Sequence, residues 1–331
     1  MEVKKILTRR LFADRKSFDL VYEWENQLVE QTGATLSFCP AFEVSRSTKP
    51  VMKAMFACAD LLCRPFVTNQ TALIFEMNPA FRRSKSMNKK NIIPWIIDFY
   101  MKSDNELTSF YRHFDRHPLL FISSKEVYDF LIEKHCPLNI VHLALCISDQ
   151  LRLSPISAFE KKFDVLLMGR QNPILIDYLN HYKQTRPVSI VSCKLEKGHY
   201  NYYTQEGVFV GNADSRADCL NLLKQSRIGF YSTQGLDGDI RSKRTNGFSQ
   251  VTPRFLEYLA TGNHVIARYA DNSDVDYYEM SKICPNTRSY EIFEEQMEKA
   301  LHEPVDLKLY SDYLDKHYLS VRVSQIKEMI I

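Results

Sequence analysis

The chain has 331 residues, 45% of them hydrophobic and 25% charged, which is the composition of a soluble globular protein long enough for two domains. A net charge of +3 is too small to make nucleic acid the expected partner. The N-terminus, MEVKKILTRR, lacks an apolar core of signal-peptide length, and the run NIIPWIID is too short to cross a bilayer, so a cytoplasmic location is expected. Eight cysteines show neither a CxxC pair nor metal-ligand spacing, so reduced core cysteines and no metal site are expected.

In chain order, strands are predicted at VKKIL, ATLSF, ALIFEM, IIPWII, LLFIS and NIVHLAL. Helices are predicted between some of them, at SFDLVYEWENQLVEQ and SKEVYDFLIEKH. The polar, Pro-containing stretch SDQLRLSPISAFEKK then interrupts the rhythm. Alternation restarts with FDVLLMG, a helix at PILIDYLNHYKQ, VSIVS, a helix at RADCLNLLKQ, RIGFYS, a helix within VTPRFLEYLATG, and HVIA. The closing YSDYLDKHYLSVRVSQIKEMI is predicted as helix. Strand and helix in alternation argue for α/β architecture with parallel sheets, here two doubly wound Rossmann-like domains. They are expected at residues 1–155 and 156–312, with a C-terminal helix at 313–331.

Ligands of open α/β sheets bind beyond the carboxyl ends of the strands, where strand order reverses, and that rule ranks the loops. Gly169 and Arg170 follow the first strand of the second half. A glycine there admits a ligand to the backbone, and an arginine offers forked donors to phosphate. The plain alternative is a tight turn with a solvated arginine, and no second glycine completes a dinucleotide fingerprint. The long loop STQGLDGDIRSKRTNGFSQ carries Arg241, Lys243 and Arg244 and leads to Arg254 at the next helix start. It reads either as an anion cradle or as a solvated insertion. In that helix Thr252 fits the N-cap, Pro253 the first turn and Gly262 the stop. Arg254 is not explained by the fold, because the helix dipole disfavours a cation in the first turn. Glu257 follows on nearly the same face, giving either a surface ion pair or the rim of a site for phosphate and hydroxyls.

In the first half, Arg82, Arg83, Lys85, Lys89 and Lys90 beside Phe81 form a solvated loop or a contact for anionic lipid. Asp98 closes NIIPWIID and is a candidate general base, as are His113, Asp115 and His117, although such residues are more often caps.

The second half, through VLLMGR, GFYSTQG, TPRFLEYLATGNHVIARY and YEIFEEQMEKAL, resembles the donor-binding domain of group 1 glycosyltransferases of GT-B architecture. The resemblance spans about 160 residues; the first half matches only in its alternation. It implies two domains facing across a cleft, with Glu257 on the nucleotide ribose and Gly169 and Arg170 at the pyrophosphate. It also implies a nucleotide diphosphate sugar as donor, a glycan or lipid-linked acceptor, no separate cofactor, and peripheral contact with a membrane. Many retaining members carry a further Glu eight residues before the ribose Glu, and Ser249 stands there in this chain. A nucleotide-sugar epimerase or hydrolase of the same architecture, and a binding protein without catalysis, are the rival expectations.

Overall fold

The computed structural model describes residues 2–10, 18–38, 50–51, 54–55, 58, 70–77 and 90–330. Its first sheet uses six apolar runs: β1 (Lys5–Thr8), β2 (Thr35–Phe38), β3 (Ala72–Glu76), β4 (Ile92–Ile96), β5 (Leu120–Ile122) and β6 (Ile140–His142). All its pairings are parallel, in the order β2-β1-β3-β4-β5-β6. Strands β3 and β4 are buried at every position, as strands covered on both faces must be. Helix α1 (Asp19–Thr32) places Trp24 parallel to Trp95 of β4, with ring centroids 6.3 Å apart. Helices α2 (Asp104–Phe114) and α3 (Lys125–Glu133) start on the side-chain caps of Ser103 and Ser124.

Proline at position 94 would ordinarily argue against a central strand. The Ile97 N–H bonds Glu76 O and the Ser123 N–H bonds Ile96 O, so even-numbered positions of β4 face β5. Pairing with β5 begins only at Trp95, one residue beyond the proline, so the missing donor falls where no ladder has started.

The second sheet contains β7 (Phe163–Leu167), β8 (Ile190–Glu196), β9 (His199–Thr204), β10 (Phe209–Asn212), β11 (Ser226–Ser232) and β12 (His264–Arg268). Around it lie α4 (Pro173–Tyr182), α5 (Arg216–Gln225), α6 (Ser242–Thr245), α7 (Pro253–Ala260), α8 (Ser273–Tyr277), α9 (Tyr290–His302) and α10 (Leu307–Leu314). The order is β10-β9-β8-β7-β11-β12, parallel from β8 to β12 and antiparallel through β9. β8 matches the predicted VSIVS strand, but its hairpin partner β9 and the edge strand β10 go beyond the predicted elements. The hairpin's two-residue turn, Lys197–Gly198, has φ 49 and 87, the left-handed pair that such turns demand. Val165, Ile228 and Ile266 of the strands pack with Leu175, Leu179, Phe293 and Met297 of α4 and α9. Gly229 of β11 leaves space for the Tyr258 ring, which a Cβ would meet at 2.2 Å.

The chain divides into two compact units, Met1–Leu145 with Leu319–Ile331, and Cys146–Tyr318. Sequence patterning expects the boundary near 155 and sets the last helix apart. The earlier boundary has a cause: Ile147 N–H bonds His317 O at 3.0 Å and Leu153 N–H bonds Tyr318 Oη at 2.9 Å, which ties the interrupting stretch to the second unit. The closing run is two helices, not one. After α10 the backbone of Tyr318 bridges Ile147, and α11 (Leu319–Met329) then packs on α1 of the first unit, where Arg322 Nε donates to Ala144 O at 2.9 Å.

Candidate functional site

From β7 the chain goes to β8 on one side and later to β11 on the other, so strand order reverses at β7 in the second unit. The carboxyl ends of β7 and β11 therefore frame the crevice where such sheets take ligands. Gly169, just past β7, has φ +72 and open space where a Cβ would stand, so its role is set by the backbone turn. Arg170 spans the crevice. Its Nη2 donates to Ser232 O at 2.9 Å and its Nε lies 2.8 Å from Asp239 Oδ2. Asn172 caps α4 through the Ile174 and Leu175 N–H groups and also donates to Asp237 Oδ2 at 2.9 Å. Arg268, at the end of β12, grips the same Asp237 carboxylate.

Helix α7 starts as its sequence suggests, with Pro253 in the first turn, although Thr252 caps through no side-chain bond. Gly262 ends it at φ +63, and a Cβ there would stand 2.5 Å from the Phe159 ring. Glu257 is 2% exposed and sits between two guanidinium groups. Arg216 Nη1 lies 2.6 Å from Oε1, and Arg254 Nη1 lies 3.2 Å from Oε2 and 3.3 Å from Met168 Sδ. Burial pushes the Glu257 carboxyl up, but Arg216 and Arg254 outweigh it and hold it below the usual carboxylate range. Both arginines occupy first turns, of α5 and α7, where the dipoles oppose them; the shared carboxylate offsets that cost. Glu257 Oε2 is buried and accepts no hydrogen bond among the described residues. The cluster thus combines a net positive charge with an acceptor that lacks a donor.

Sequence patterning brings Gly169, Arg170, Arg254 and Glu257 to this end of the sheet, and Met168 joins the two pairs. It misses Arg216, whose approach to Glu257 depends on how α5 packs beside α7; the only local signal is its place directly after the Ser215 cap. Arg241, Lys243 and Arg244 lie on α6 and its first flank with exposed side chains. The loop's buried link to Arg170 is an acid, Asp239, and not one of those cations. Ser249 is buried, and its Oγ donates to Thr233 Oγ1 at 2.8 Å. Beyond β12 a separate cavity of about 400 Å³ opens between Leu236, Arg268, Tyr269 and Arg288.

In the first unit, Asp98 lies two residues past β4, at the carboxyl edge and half-buried. His117 is elsewhere: its Nδ1 bonds the carbonyl of Ile92, the first residue of β4, at 2.6 Å. His113 and Asp115, at the end of α2, precede β5 and so approach the sheet from its amino edge. This trio does not form part of a carboxyl-edge site. Residues 81–89 of the basic stretch lie outside the described residues, and Lys90 is exposed. The first unit also holds a buried pair that patterning misses, Arg9 with Glu76 at 2.6 Å, at the ends of β1 and β3 where strand order reverses.

No protein-family model matches the chain, and no curated protein does. Solved structures do match. A glycosyltransferase from Rickettsia africae aligns over 99% of this chain and 98% of its own, with TM-score 0.57 and 10% identity. A sucrose-phosphate synthase from Thermosynechococcus elongatus aligns over 100% and 98%, with TM-score 0.61 and 9% identity. A Listeria monocytogenes protein assigned as a UDP-N-acetylglucosamine 2-epimerase aligns over 99% and 96%, with TM-score 0.53 and 10% identity. Identities this low carry the fold and leave function to the site. In fold, the chain is a two-unit α/β protein of the GT-B type.

Proposed function

We propose that this chain is a glycosyltransferase that moves a sugar from a nucleotide diphosphate sugar to an acceptor hydroxyl. The observation that carries the reading is the buried Glu257 oxygen without a hydrogen-bond donor, beside Arg254 at the start of α7. A ribose hydroxyl supplies the missing donor. Arg254, whose side chain is about one-third exposed, turns from the carboxylate towards the diphosphate as the ribose enters. Gly169 gives the diphosphate access to the backbone, and Arg170 lines the same crevice.

Catalysis in this arrangement is positioning plus stabilisation of the departing diphosphate by guanidinium groups and backbone amides, without recourse to a metal. Asp98 is the proposed base that takes the acceptor proton. The family resemblance supports a hexosyl donor, a surface glycan on a lipid carrier as acceptor, and work on the cytoplasmic side of the membrane. Among the described residues no helix is long and apolar enough to cross that membrane.

Calorimetry with a panel of nucleotide diphosphates and their sugars tests the reading. One nucleotide diphosphate should bind the wild type, and Glu257→Ala should weaken it by about 1.5–3 kcal/mol, the scale of a charge-assisted hydrogen bond. Unchanged affinity in a folded variant would remove Glu257 from the site. Product analysis with donor alone separates transfer from the epimerase reading, because an epimerase needs no acceptor.

A further inference from the structure

Two buried oxygens on consecutive residues of α7 have no hydrogen-bond partner among the described residues. One is Glu257 Oε2, the oxygen assigned to the ribose, and the other is the hydroxyl of Tyr258. Tyr258 is completely buried, at 0% exposure, so bulk water does not satisfy it. A buried hydroxyl without a partner is costly to the fold, and a phenylalanine would fill the same space without that cost.

The ring is held firmly although its hydroxyl is not. It lies over Gly229 of β11, where a Cβ on the glycine would meet ring carbons at 2.2 and 2.3 Å. Tyr258 follows Arg254 by one turn on the same face of α7, and helix side chains lean towards the N-terminus. The hydroxyl is thus carried back towards the guanidinium. Burial pushes the phenol up to about 12, and Arg254 is the strongest influence against that rise. Arg254 itself is loosely held. Among the described residues its one hydrogen bond goes to the Met168 thioether at 3.3 Å, a weak acceptor, and its ion pair with Glu257 is 3.2 Å long.

We propose that Tyr258 positions Arg254 for the diphosphate, its hydroxyl accepting a hydrogen bond from the guanidinium once the ribose has displaced it from Glu257. The inference rests on the donor reading of Glu257. In the free protein Glu257 holds Arg254 and the phenol stands idle. With the donor in place the ribose occupies Glu257 and the phenol holds Arg254, so both buried oxygens gain partners. A neutral acceptor suits this task, because it fixes the guanidinium without cancelling the charge that the diphosphate needs.

The test is calorimetric titration of the full chain with UDP, GDP, ADP, CDP and TDP. The wild type should bind one of them. Tyr258→Phe should bind it about tenfold more weakly, the scale of a hydrogen bond to a charged group. Its thermal unfolding midpoint should equal or exceed that of the wild type, because the free protein loses no bond. In an Arg254→Ala background the same substitution should cost nothing further, since the group it positions is absent. Wild-type affinity in Tyr258→Phe overturns the proposal, and so does an equal loss with and without Arg254. Weakened binding with a lowered midpoint makes the hydroxyl structural and also overturns it. If the wild type binds none of these nucleotides, the donor reading falls and this inference with it; wild-type binding confines any failure to Tyr258.

Discussion

Arg216 Nη1 and Glu257 Oε1 meet at 2.6 Å although they belong to different helices, α5 and α7. With Arg254 on the other oxygen, a buried carboxylate is the one anion shared by two partly exposed guanidinium groups among the described residues. Such a group is most sensitive to losing its minority member. Glu257→Ala should cost about 3 kcal/mol of unfolding free energy, because two guanidinium groups lose their shared partner. A double-mutant cycle with Arg216→Ala, read by urea denaturation, should return a coupling of about 1–3 kcal/mol. Additive effects would show that the contact does not bear on stability.

Asp98 offers a kinetic prediction. As the base, Asp98→Asn should leave nucleotide affinity and unfolding midpoint near wild type while transfer falls about a hundredfold or more. A loss of about 1 kcal/mol in stability with turnover intact would make it a cap.

Lys161 carries a pH dependence. Its Nζ donates to Thr261 O at 3.0 Å and lies over the Phe159 ring, and burial, helped by Arg227, pushes its pKa down to about 7. An unfolded lysine keeps its proton to about 10.4, so between those values the unfolded chain binds more protons. Stability from this residue therefore rises with pH across the window and is flat below it. Urea denaturation at a series of pH values should show that Lys161→Met removes this rise. Parallel curves for the two proteins would contradict it.

Gly262→Ala should be costly for two separable reasons. The left-handed backbone costs a Cβ-bearing residue about 1–2 kcal/mol, and overlap with Phe159 adds about 1–3 kcal/mol. Adding Phe159→Ala to Gly262→Ala should relieve the overlap and leave the backbone cost. Thermal melts of the single and double variants check this, and no relief in the double variant would place the whole cost in the backbone.

The ten strands that enter parallel pairings were legible because each is a short apolar run between polar breakers, a signal that needs no tertiary information, whereas β9 and β10 were missed. Helix α7 was legible for similar reasons, since Pro253 and Gly262 punctuate it. The β8–β9 hairpin was harder to see. Its turn is Lys-Gly, where only the glycine signals the left-handed pair, and its strands carry Lys194, Glu196 and Asn201 among their apolar residues. The break between α10 and α11 was hidden because Asp315–Tyr318 contains neither Gly nor Pro; long-range bonds to Ile147 and Leu153 stop the helix there. At the site, the sequence offered Arg254 and Glu257 one turn apart. Arg216 and the inward acids Asp237 and Asp239 depend on which loops the sheet order brings together, and local pattern does not encode that.

The return of Leu319–Ile331 to the first unit also shapes synthesis. Cys146–Tyr318 is one uninterrupted segment, able to close its core once its own residues have left the ribosome. The first unit begins earlier yet finishes later, because the helix that covers α1 and binds Ala144 is made only after the whole of the second unit. During translation its partly covered sheet must be shielded from other nascent chains until that helix arrives.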